Sequence, residues 1–291
     1  MFGQKQVPVD TFWGRVAVVT GASRDIGRAT AQALAREGCA VVCLARSVDQ
    51  LDSLVAEIEG LGGRAWAVPA DVTDEAAVRS VLDAVRDRYG RIDILILNAG
   101  IGCQDRLIDL RPEDLRRTFD VNFFGPVACL QAALPDMIER RSGHIVFVSS
   151  IAGKRAFPVI GGYSASKWAL QAVAETLRHE VWRTGIRASI ICPGPVQTGF
   201  DRSVVGSARR PGRFRPFTLT GDEVANVIVG AIARNRREVV VSWPYRVALL
   251  ALSFLHPHIS PLLWLILDRR PRTGPARPAP PPTPAAIPSR E

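Results

Sequence analysis

The sequence predicts an α/β fold of the Rossmann type, a doubly wound sheet of about seven parallel strands with helices on both faces. Three observations predict it. Short runs rich in β-branched apolar residues recur along the chain, helical patterns separate them, and each run is apolar almost throughout. Continuous apolar runs are typical of parallel strands that are covered on both faces. Alternation of strand and helix then gives a parallel sheet with right-handed crossovers.

The predicted helices between the strands end at residues that favour helix termination. The pattern IGRATAQALARE leads into Gly38, and DEAAVRSVLDAVRDRY leads into Gly90. Glycine is the commonest residue where a helix closes in a left-handed turn. A later helix, EVANVIVGAIARN, is predicted to begin near Thr220 or Asp222. The predicted strands are RVAVVT (15–20), AVVCLA (40–45), RAWAVPA (64–70), IDILILN (92–98), HIVFVSS (144–150), RASIICP (187–193) and REVVVS (237–242).

The composition divides the chain into three parts. Residues 1–243 hold the predicted strands and helices and form the Rossmann catalytic domain, with an Arg- and Gly/Pro-rich substrate loop at about 195–218. Residues 244–270 form an apolar C-terminal extension with a helical pattern. Residues 271–291 are so rich in proline and alanine that they cannot pack a core, and we predict that they are disordered.

The apolar extension leaves three interpretations open. Its apolar stretches, 247–255 and 262–267, are separated by Pro257 and Pro261. A spanning helix needs roughly 20 apolar residues, so neither stretch crosses a bilayer alone. The stretches are either short helices that cover the body or a subunit, or an in-plane membrane anchor, or a true spanning segment. Basic residues on both sides make 246–272 a candidate for peripheral membrane contact. These are Arg246, Arg269, Arg270 and Arg272.

The net charge of +9 lies almost wholly in the C-terminal third, where residues 201–291 hold fourteen arginines and six acidic residues. No basic stripe interleaved with aromatic residues accompanies this charge, so we predict no nucleic-acid partner. A membrane surface or an acidic substrate fits it better. The five cysteines form no CxxC pair, and the four histidines have no metal-ligand neighbours. We therefore predict buried reduced thiols, a cytoplasmic protein and no metal site.

Polar residues close most of the predicted strands. In an open parallel sheet, ligands bind where the carboxyl ends of the strands meet, near the point at which the strand order reverses. We therefore expect one dinucleotide site built from these strand ends. They carry the loop TGASRDIG (20–27), Arg46, Asp71, NAG (98–100), Ser149 with Ser150, and PGPVQT (193–198).

The motif YSASK (163–167) adds a chemical signal. Tyr163 and Lys167 stand four residues apart, and thus on one face of a predicted helix. A free phenol has a pKa near 10, and a neighbouring ammonium group favours the phenolate and lowers that pKa towards neutrality. The pair can then donate or accept a proton beside a reacting carbonyl or alcohol.

These motifs, in this order, resemble the short-chain dehydrogenase/reductase family. The resemblance covers about residues 13–241 and is specific to the family. It implies hydride transfer between a nicotinamide cofactor and a small-molecule carbonyl or secondary alcohol, but it says little about which one. The landmarks are TGASRDIG, Asp71, NAG, Asn122 in VNFFG, Ser150, YSASK thirteen positions after Ser150, and PGPVQT.

The resemblance implies a role for each matching residue. Tyr163 is the expected general acid/base, and Lys167 is expected to hold the nicotinamide ribose and to lower the pKa of Tyr163. Ser150, which the spacing selects over Ser149, would bond the substrate oxygen. Asn122 would anchor a water-linked proton relay. The expected cofactor-binding residues are Gly21, Ser23, Arg24, Asp25, Ile26, Gly27, Arg46, Asp71, Val72, Asn98, Ala99, Gly100, Tyr163, Lys167, Pro193, Gly194, Val196 and Thr198.

The charge at the end of the second predicted strand favours NADP(H) over NAD(H). An NAD site usually places an acidic residue there, on the ribose 2′-hydroxyl, whereas NADP needs a cation. This chain has Arg46 at that point and no acidic residue before Asp49. Arg24, in the first loop, is a second cation within reach of a 2′-phosphate. A guanidinium group can bind phosphate through two hydrogen bonds.

Asp25 departs from the family pattern, which has a third glycine at that position. Two interpretations stand: the carboxylate weakens the binding of the pyrophosphate, or it caps the following helix and turns away. We favour the helix cap. Aspartate also tolerates a left-handed backbone, and Arg24 and Arg28 can neutralise its charge.

The sequence therefore predicts an NADP(H)-dependent oxidoreductase that acts on a lipophilic carbonyl compound or alcohol, with Tyr163 as the general acid/base. Two alternatives are an NADP(H)-binding sensor without turnover and a membrane-surface scaffold. The complete set of Asn122, Ser150, Tyr163 and Lys167 disfavours the sensor, because a sensor needs no proton relay. The resemblance further implies a homodimer or homotetramer assembled through helices near 112–133 and 163–183.

Overall fold

A computed structural model describes residues 12–197, 203–206, 218–247 and 249–250. It contains a seven-stranded parallel sheet flanked by helices, which confirms the predicted fold class. The strands of this sheet are β1 (Val16–Thr20), β2 (Ala40–Ala45), β3 (Arg64–Pro69), β4 (Ile94–Leu97), β6 (Gly143–Val148), β7 (Ile186–Cys192) and β9 (Glu238–Val240), while β5 (Gly102–Cys103) and β8 (Val204–Val205) form a separate pair. The helices are α1 (Asp25–Arg36), α2 (Val48–Gly60), α3 (Glu75–Tyr89), α4 (Pro112–Phe119), α5 (Gly125–Glu139), α6 (Gly161–Glu180) and α7 (Gly221–Ala233).

The strand order of the large sheet is β3-β2-β1-β4-β6-β7-β9. The chain moves outward from β1 to β3 and then crosses back, so that β4 pairs with the other side of β1. In register, Ala17 of β1 lies between Val41 of β2 and Ile94 of β4. The order therefore reverses between β1 and β4, and a crevice opens there at the carboxyl ends of the strands.

The core lies in two layers, one on each face of the sheet. Val19 and Ile96 face the layer that holds α1 and α7, whereas Val18 and Leu95 face the layer that holds α3, α5 and α6. All four of these residues have no exposed surface. Burial on both faces is the physical reason why the strands are apolar throughout rather than alternating.

Helix termini follow the expected chemistry. Gly90 closes α3 with a φ of +74°, and Gly38 follows α1 with a φ of +93°. At the start of α7, Thr220 rather than Asp222 is the N-cap. Its hydroxyl accepts a hydrogen bond from the Glu223 amide at 3.2 Å, and the Glu223 carboxylate accepts one from the Thr220 amide at 2.7 Å. Such a reciprocal pair satisfies two amides that the helix leaves unpaired.

The run Pro112–Glu139 joins α4, a π-helical turn (Asp120–Phe124) and α5. Within the described ranges it is the one helix long and apolar enough by composition to cross a membrane. It also packs on the sheet through Cys129, Ala133 and Met137, which places it in the core. All five cysteines are free and buried, as predicted. Residues 251–270 of the extension and the tail 271–291 lie outside the described residues.

Candidate active site

A cleft of about 930 Å³ lies at the carboxyl ends of the strands, beside the reversal between β1 and β4. This is large enough for a cofactor or a drug-sized ligand. Every predicted site residue that the structure describes lines the cleft, except Asn122. Thr198 lies outside the described residues. The sequence therefore identified the location of the cleft and most of its lining on the cofactor side.

The first loop needs glycine at both ends for different reasons. Gly21 has a φ of +65°, in the left-handed region that favours glycine. A Cβ on Gly27 would fall 2.1 Å from the Gly21 carbonyl oxygen. Only a glycine at position 27 therefore lets the first turn of α1 lie this close to Gly21. Asn98 fixes the turn, because its Nδ2 donates to the Thr20 oxygen at 3.0 Å and to the Gly21 oxygen at 3.3 Å. The loop backbone is thus held open towards the cleft.

Asp25 is part of this loop but not the N-cap that the sequence indicated. Helix α1 begins at Asp25 itself, and Arg24 takes the N-cap position without a side-chain cap hydrogen bond. The φ of Asp25 is +53°, so aspartate does replace a glycine in a left-handed conformation. Its carboxylate lies 3.8 Å from Arg24 Nε. Arg28, the second expected arginine, pairs with Glu57 at 2.5 Å.

Two arginines line the cleft, Arg46 just after β2 and Arg24 in the loop after β1. Arg46 is largely exposed, with 62% of its side chain accessible, and its Nη1 lies 3.5 Å from Asp71 Oδ2. Arg24 donates a hydrogen bond to Ser203 Oγ. Burial raises the pKa of Asp71, but hydrogen bonds from Thr73 and the charge of Arg46 outweigh that effect and keep the pKa below its usual value. Asp71 is therefore an anion at neutral pH.

Tyr163 and Ser150 meet on the inner side of the cleft. Burial raises the pKa of Tyr163 to about 12, and a hydrogen bond with Ser150 offsets only part of that rise. Ser150 Oγ also accepts a hydrogen bond from the Ala152 amide at 3.1 Å. The neighbouring Ser149 is buried and does a different task, because its Oγ donates to the Lys167 oxygen at 3.3 Å and accepts from Gln171 Nε2 at 3.1 Å.

The expected effect of Lys167 on Tyr163 is wrong for this structure. Lys167 Nζ lies 6.0 Å from the centre of the Tyr163 ring and donates a hydrogen bond to the Val148 oxygen at 3.0 Å. Burial lowers the pKa of Lys167 itself to about 8, so that Lys167 is still mostly protonated at pH 7. Burial therefore dominates both residues, and Tyr163 is a neutral phenol rather than a phenolate at pH 7.

Asn122 lies behind the cleft rather than in its lining. The residue is fully buried in the π-helical turn, and its Oδ1 accepts a hydrogen bond from the Ile101 amide at 2.7 Å. Its Nδ2 donates to the Ile101 oxygen at 2.9 Å and to Ser166 Oγ at 3.0 Å. Ser166 Oγ in turn donates to the main-chain carbonyl oxygen of Tyr163 at 2.8 Å. The Asn122 side chain thus ties the segment after β4 to the helix that carries Tyr163.

The strand-end pattern missed the outer wall of the cleft. The segment 203–206 reaches the cleft because β8 pairs with β5, with Gly102 opposite Val204. Beyond β9, Tyr245 packs so closely on Gly194 that a Cβ there would fall 2.4 Å from the ring. Two sequence signals concerned this side: the predicted substrate loop at about 195–218, which contains Ser203, and the apolar run after the last predicted strand. The lining residues that were missed on this side include Cys103, Gln104, Arg117, Phe157, Ile160, Ser203, Tyr245 and Leu249.

Two kinds of chemistry can be separated at this site. The loop 21–27 with Arg24 and Arg46 offers backbone and cations to a phosphate-bearing ligand, which suits a dinucleotide. Ser150 and Tyr163 offer two hydroxyl groups to one oxygen atom of a second ligand. Among the described residues, no group of three or more His, Cys, Asp or Glu side chains is placed to hold a metal ion.

Comparison with known proteins gives concordant results. The family model for short chain dehydrogenase matches residues 15–207. Ketoacyl reductase HetN of Nostoc sp. is 35% identical over 233 residues, which is 80% of this chain and 80% of that protein.

Two crystal structures show the same architecture. A metagenomic short-chain oxidoreductase in complex with NADP is 32% identical, with a TM-score of 0.68 over 80% of this chain and 98% of that chain. A short chain dehydrogenase/reductase from Burkholderia phymatum in complex with NAD is 28% identical, with a TM-score of 0.75 over 92% of this chain and 99% of that chain. The similar structures therefore include complexes with either nicotinamide cofactor.

Proposed function

The chain belongs to the short-chain dehydrogenase family of NAD(P)-dependent oxidoreductases, and from that premise we propose that it reduces a lipophilic ketone or aldehyde with NADPH, or oxidises the corresponding alcohol. The observation that carries the proposal is the meeting of Ser150, Tyr163 and Lys167 in one cleft with the loop 21–27. The cations and the loop backbone on one side of the cleft suit the phosphates of a nicotinamide dinucleotide. The two hydroxyl groups on the other side suit the oxygen atom of the substrate.

Tyr163 and Ser150 bind the oxygen atom of the substrate. A nicotinamide cofactor held by the loop 21–27 would supply or take up the hydride at the carbon atom of the substrate. Because burial raises the pKa of Tyr163 to about 12, its phenol carries a proton that it can donate to a carbonyl oxygen at neutral pH. The Ser150 hydroxyl holds the same oxygen and shares a hydrogen bond with Tyr163. In the reduction, Tyr163 donates its proton, whereas in the oxidation it must first lose that proton in order to accept one from the alcohol. A protonated Tyr163 therefore favours reduction.

Arg24 and Arg46 support the preference for NADP(H). Both line the cleft, Arg46 just after β2 and Arg24 in the loop after β1, and both are exposed enough to leave their present partners for a phosphate. The matched test is Arg46→Asp against Arg79→Asp, an exposed arginine on α3 outside the cleft. We expect Arg46→Asp to shift the ratio of kcat/KM for NADPH over NADH by at least tenfold towards NADH, since a charged hydrogen bond contributes about 1.5–3 kcal/mol. An unchanged ratio would refute the role of Arg46.

The lipophilic substrate is supported by the outer wall of the cleft, where Phe157, Ile160 and Leu249 present apolar side chains. Ketoacyl reductase HetN, the relative from Nostoc, bears a name that fits an acyl ketone. The test is NADPH oxidation with 2-ketones of increasing chain length. We expect kcat/KM to rise about fourfold for each buried methylene group. Tight NADPH binding without turnover on any ketone or aldehyde would instead favour the cofactor sensor.

Assembly and compartment complete the proposal. The exposed fractions of Phe124 and Trp168, on the long helical run and on α6, are 54% and 49%, so both helices have apolar side chains available to a second copy. We therefore expect a homodimer or homotetramer by light scattering, and a smaller assembly for Phe124→Ser. The free, buried cysteines fit a reducing compartment such as the cytoplasm.

A further inference from the structure

The helix after β9 has two opposite faces. Residues 243–247 and 249–250 are helical. Tyr245 and Leu249, four positions apart, both line the cleft. At 100° per residue, these two side chains lie within about 40° of each other around the helix. One face of this helix is therefore part of the substrate-side wall.

The other face is apolar and exposed. Trp243, Val247 and Leu250 have exposed fractions of 75%, 54% and 57%. Their spacing places them within about 60° of each other and about 150° from the cleft-facing pair. None of the three lines the cleft. We call these three residues the outer stripe.

The outer stripe differs from the other exposed apolar residues of the described chain. Leu61 and Trp182 are also largely exposed, at 79% and 66%, but they stand on different elements and form no helical row. Single exposed apolar residues are common on soluble proteins, whereas a helical row of them indicates a surface that something covers.

Charge and sequence continuity identify what covers the stripe. Exposed Arg246 lies about 40° from Leu250 around the same helix, at the edge of the apolar face. The sequence that follows extends the apolar run to residue 255, adds a second run at 262–267, and then places Arg269, Arg270 and Arg272. An apolar face edged by Arg246, and followed in the sequence by further apolar runs and arginines, matches the surface of a bilayer with anionic lipids better than the polar rim of a second copy.

We propose that the outer stripe lies in the surface of an anionic bilayer, and that the helix thereby places the mouth of the cleft where a lipid-dissolved carbonyl compound can enter. The membrane contact stands on the stripe and its charges alone. The entry of substrate rests on the proposed function, because it requires that the cleft accept a lipophilic carbonyl compound.

The first experiment is flotation of the intact chain with vesicles of phosphatidylcholine, with and without phosphatidylglycerol. We expect the wild type to float with the anionic vesicles. The triple variant Trp243→Ser, Val247→Ser, Leu250→Ser should lose at least tenfold in partition coefficient, while the control Leu61→Ser, Trp182→Ser should keep the wild-type value. Arg246→Gln should lose about fivefold on anionic vesicles and nothing on neutral ones.

Three results would overturn the membrane contact. The wild type could stay in the soluble fraction, the triple variant could float as well as the wild type, or the triple variant could change the oligomeric state, which would mean that a second copy covers the stripe. NADPH affinity of the triple variant, measured by fluorescence, shows that it is folded, because the stripe lies outside the cleft lining.

The second experiment separates this inference from the proposed function. Activity is measured with a short water-soluble ketone and with a long-chain ketone dissolved in the vesicles. We expect the triple variant to keep its rate on the soluble ketone and to lose at least tenfold on the vesicle-borne one. Equal loss on both would overturn the entry route. Absence of turnover for the wild type on both would refute the proposed function and the entry route, while the flotation result would still decide the membrane contact.

Discussion

The two ends of the sheet use similar polar side chains in opposite ways. At the amino ends, Asp93 accepts a hydrogen bond from the Val16 amide at 2.8 Å and pairs with Arg91 at 3.0 Å and with Arg140 at 3.5 Å. His144 Nε2 lies 2.8 Å from Ser189 Oγ in the same region of the sheet. At the carboxyl ends, the hydroxyls of Ser150 and Tyr163 face an open cleft.

The contrast separates stability from chemistry within one sheet. Polar groups that are saturated by neighbouring protein atoms hold strands together, and their loss leaves buried partners without hydrogen bonds. Polar groups that face a cleft keep some bonding capacity for a ligand. A substitution at the amino end should therefore change the free energy of unfolding with little effect on turnover, and one at the carboxyl end should do the reverse.

The sharpest test at the carboxyl end is Tyr163→Phe. We expect kcat to fall by roughly 10²–10⁴-fold, because general acid catalysis contributes this much. The free energy of unfolding should stay near the wild-type value. Steady-state kinetics and chemical denaturation measure both. Tyr89→Phe, in a ring that packs on Trp66 away from the cleft, is the matched control. A Tyr163→Phe enzyme with more than a third of the wild-type kcat would end the claim that this residue is the acid.

The counterpart at the amino end is Asp93→Ala. It should reduce the free energy of unfolding by about 3 kcal/mol, since it removes the acceptor of the Val16 amide and the partner of two arginines. The exposed pair of Arg106 with Asp109 provides the control, and Asp109→Ala should cost no more than about 0.5 kcal/mol. Denaturant unfolding compares them. If turnover per folded molecule fell with Asp93→Ala, the separation of the two ends would fail.

His144 adds a pH test at the amino end. Burial, with the charges of Arg187 and Arg15, lowers the pKa of His144 to about 3. In the unfolded chain it titrates near 6.5, so below that pH the unfolded state binds a proton that the folded state does not. Stability should thus fall by about 2 kcal/mol from pH 7 to pH 5 through this residue alone. His144→Gln should remove that part of the slope, whereas the exposed His179→Gln should leave it; equal slopes for the two variants would contradict the assignment.

Asp25 combines the properties of the two ends of the sheet. Like the residues at the carboxyl ends it lines the cleft, and like those at the amino ends it is paired with a neighbouring side chain, that of Arg24. We expect Asp25→Gly to change NADPH affinity by less than tenfold, or about 1.4 kcal/mol, since the carboxylate is already neutralised by a neighbour. Isothermal titration of wild type and variant measures it. A gain of tenfold or more would show that the carboxylate opposes the pyrophosphate.

The strands were predictable because burial on both faces makes them apolar throughout. The strand-end residues were predictable because a polar residue follows most of the strands. The left-handed backbone at Asp25 was also predictable, because aspartate stands where the family has glycine and is one of the few other residues that tolerate this conformation. The helix boundary at Asp25 and the pairing of Arg28 with Glu57 were not, because they depend on which side chains the fold brings together. The raised pKa of Tyr163 was missed for a similar reason: spacing reveals a neighbour but not the depth of burial.

The outer wall of the cleft was beyond sequence reasoning for a topological reason. Tyr245 and Leu249 come after the last strand, so no rule about strand ends applies to them. Asn122 shows the limit of family resemblance, which marked the residue but did not reveal that its side chain is wholly engaged with Ile101 and Ser166.

The position of β1 has a consequence for how the chain is made. Ala17 pairs with Val41 on one side and with Ile94 on the other, so β1 is a central strand that leaves the ribosome before either of its partners. At about 5–20 residues per second, its second partner is synthesised roughly 4–15 s later. During that interval a fully apolar strand presents an unpaired edge, the kind of surface that attracts other nascent chains. We therefore expect that co-translational folding of this protein is more efficient when the β1 edge is protected until β4 emerges.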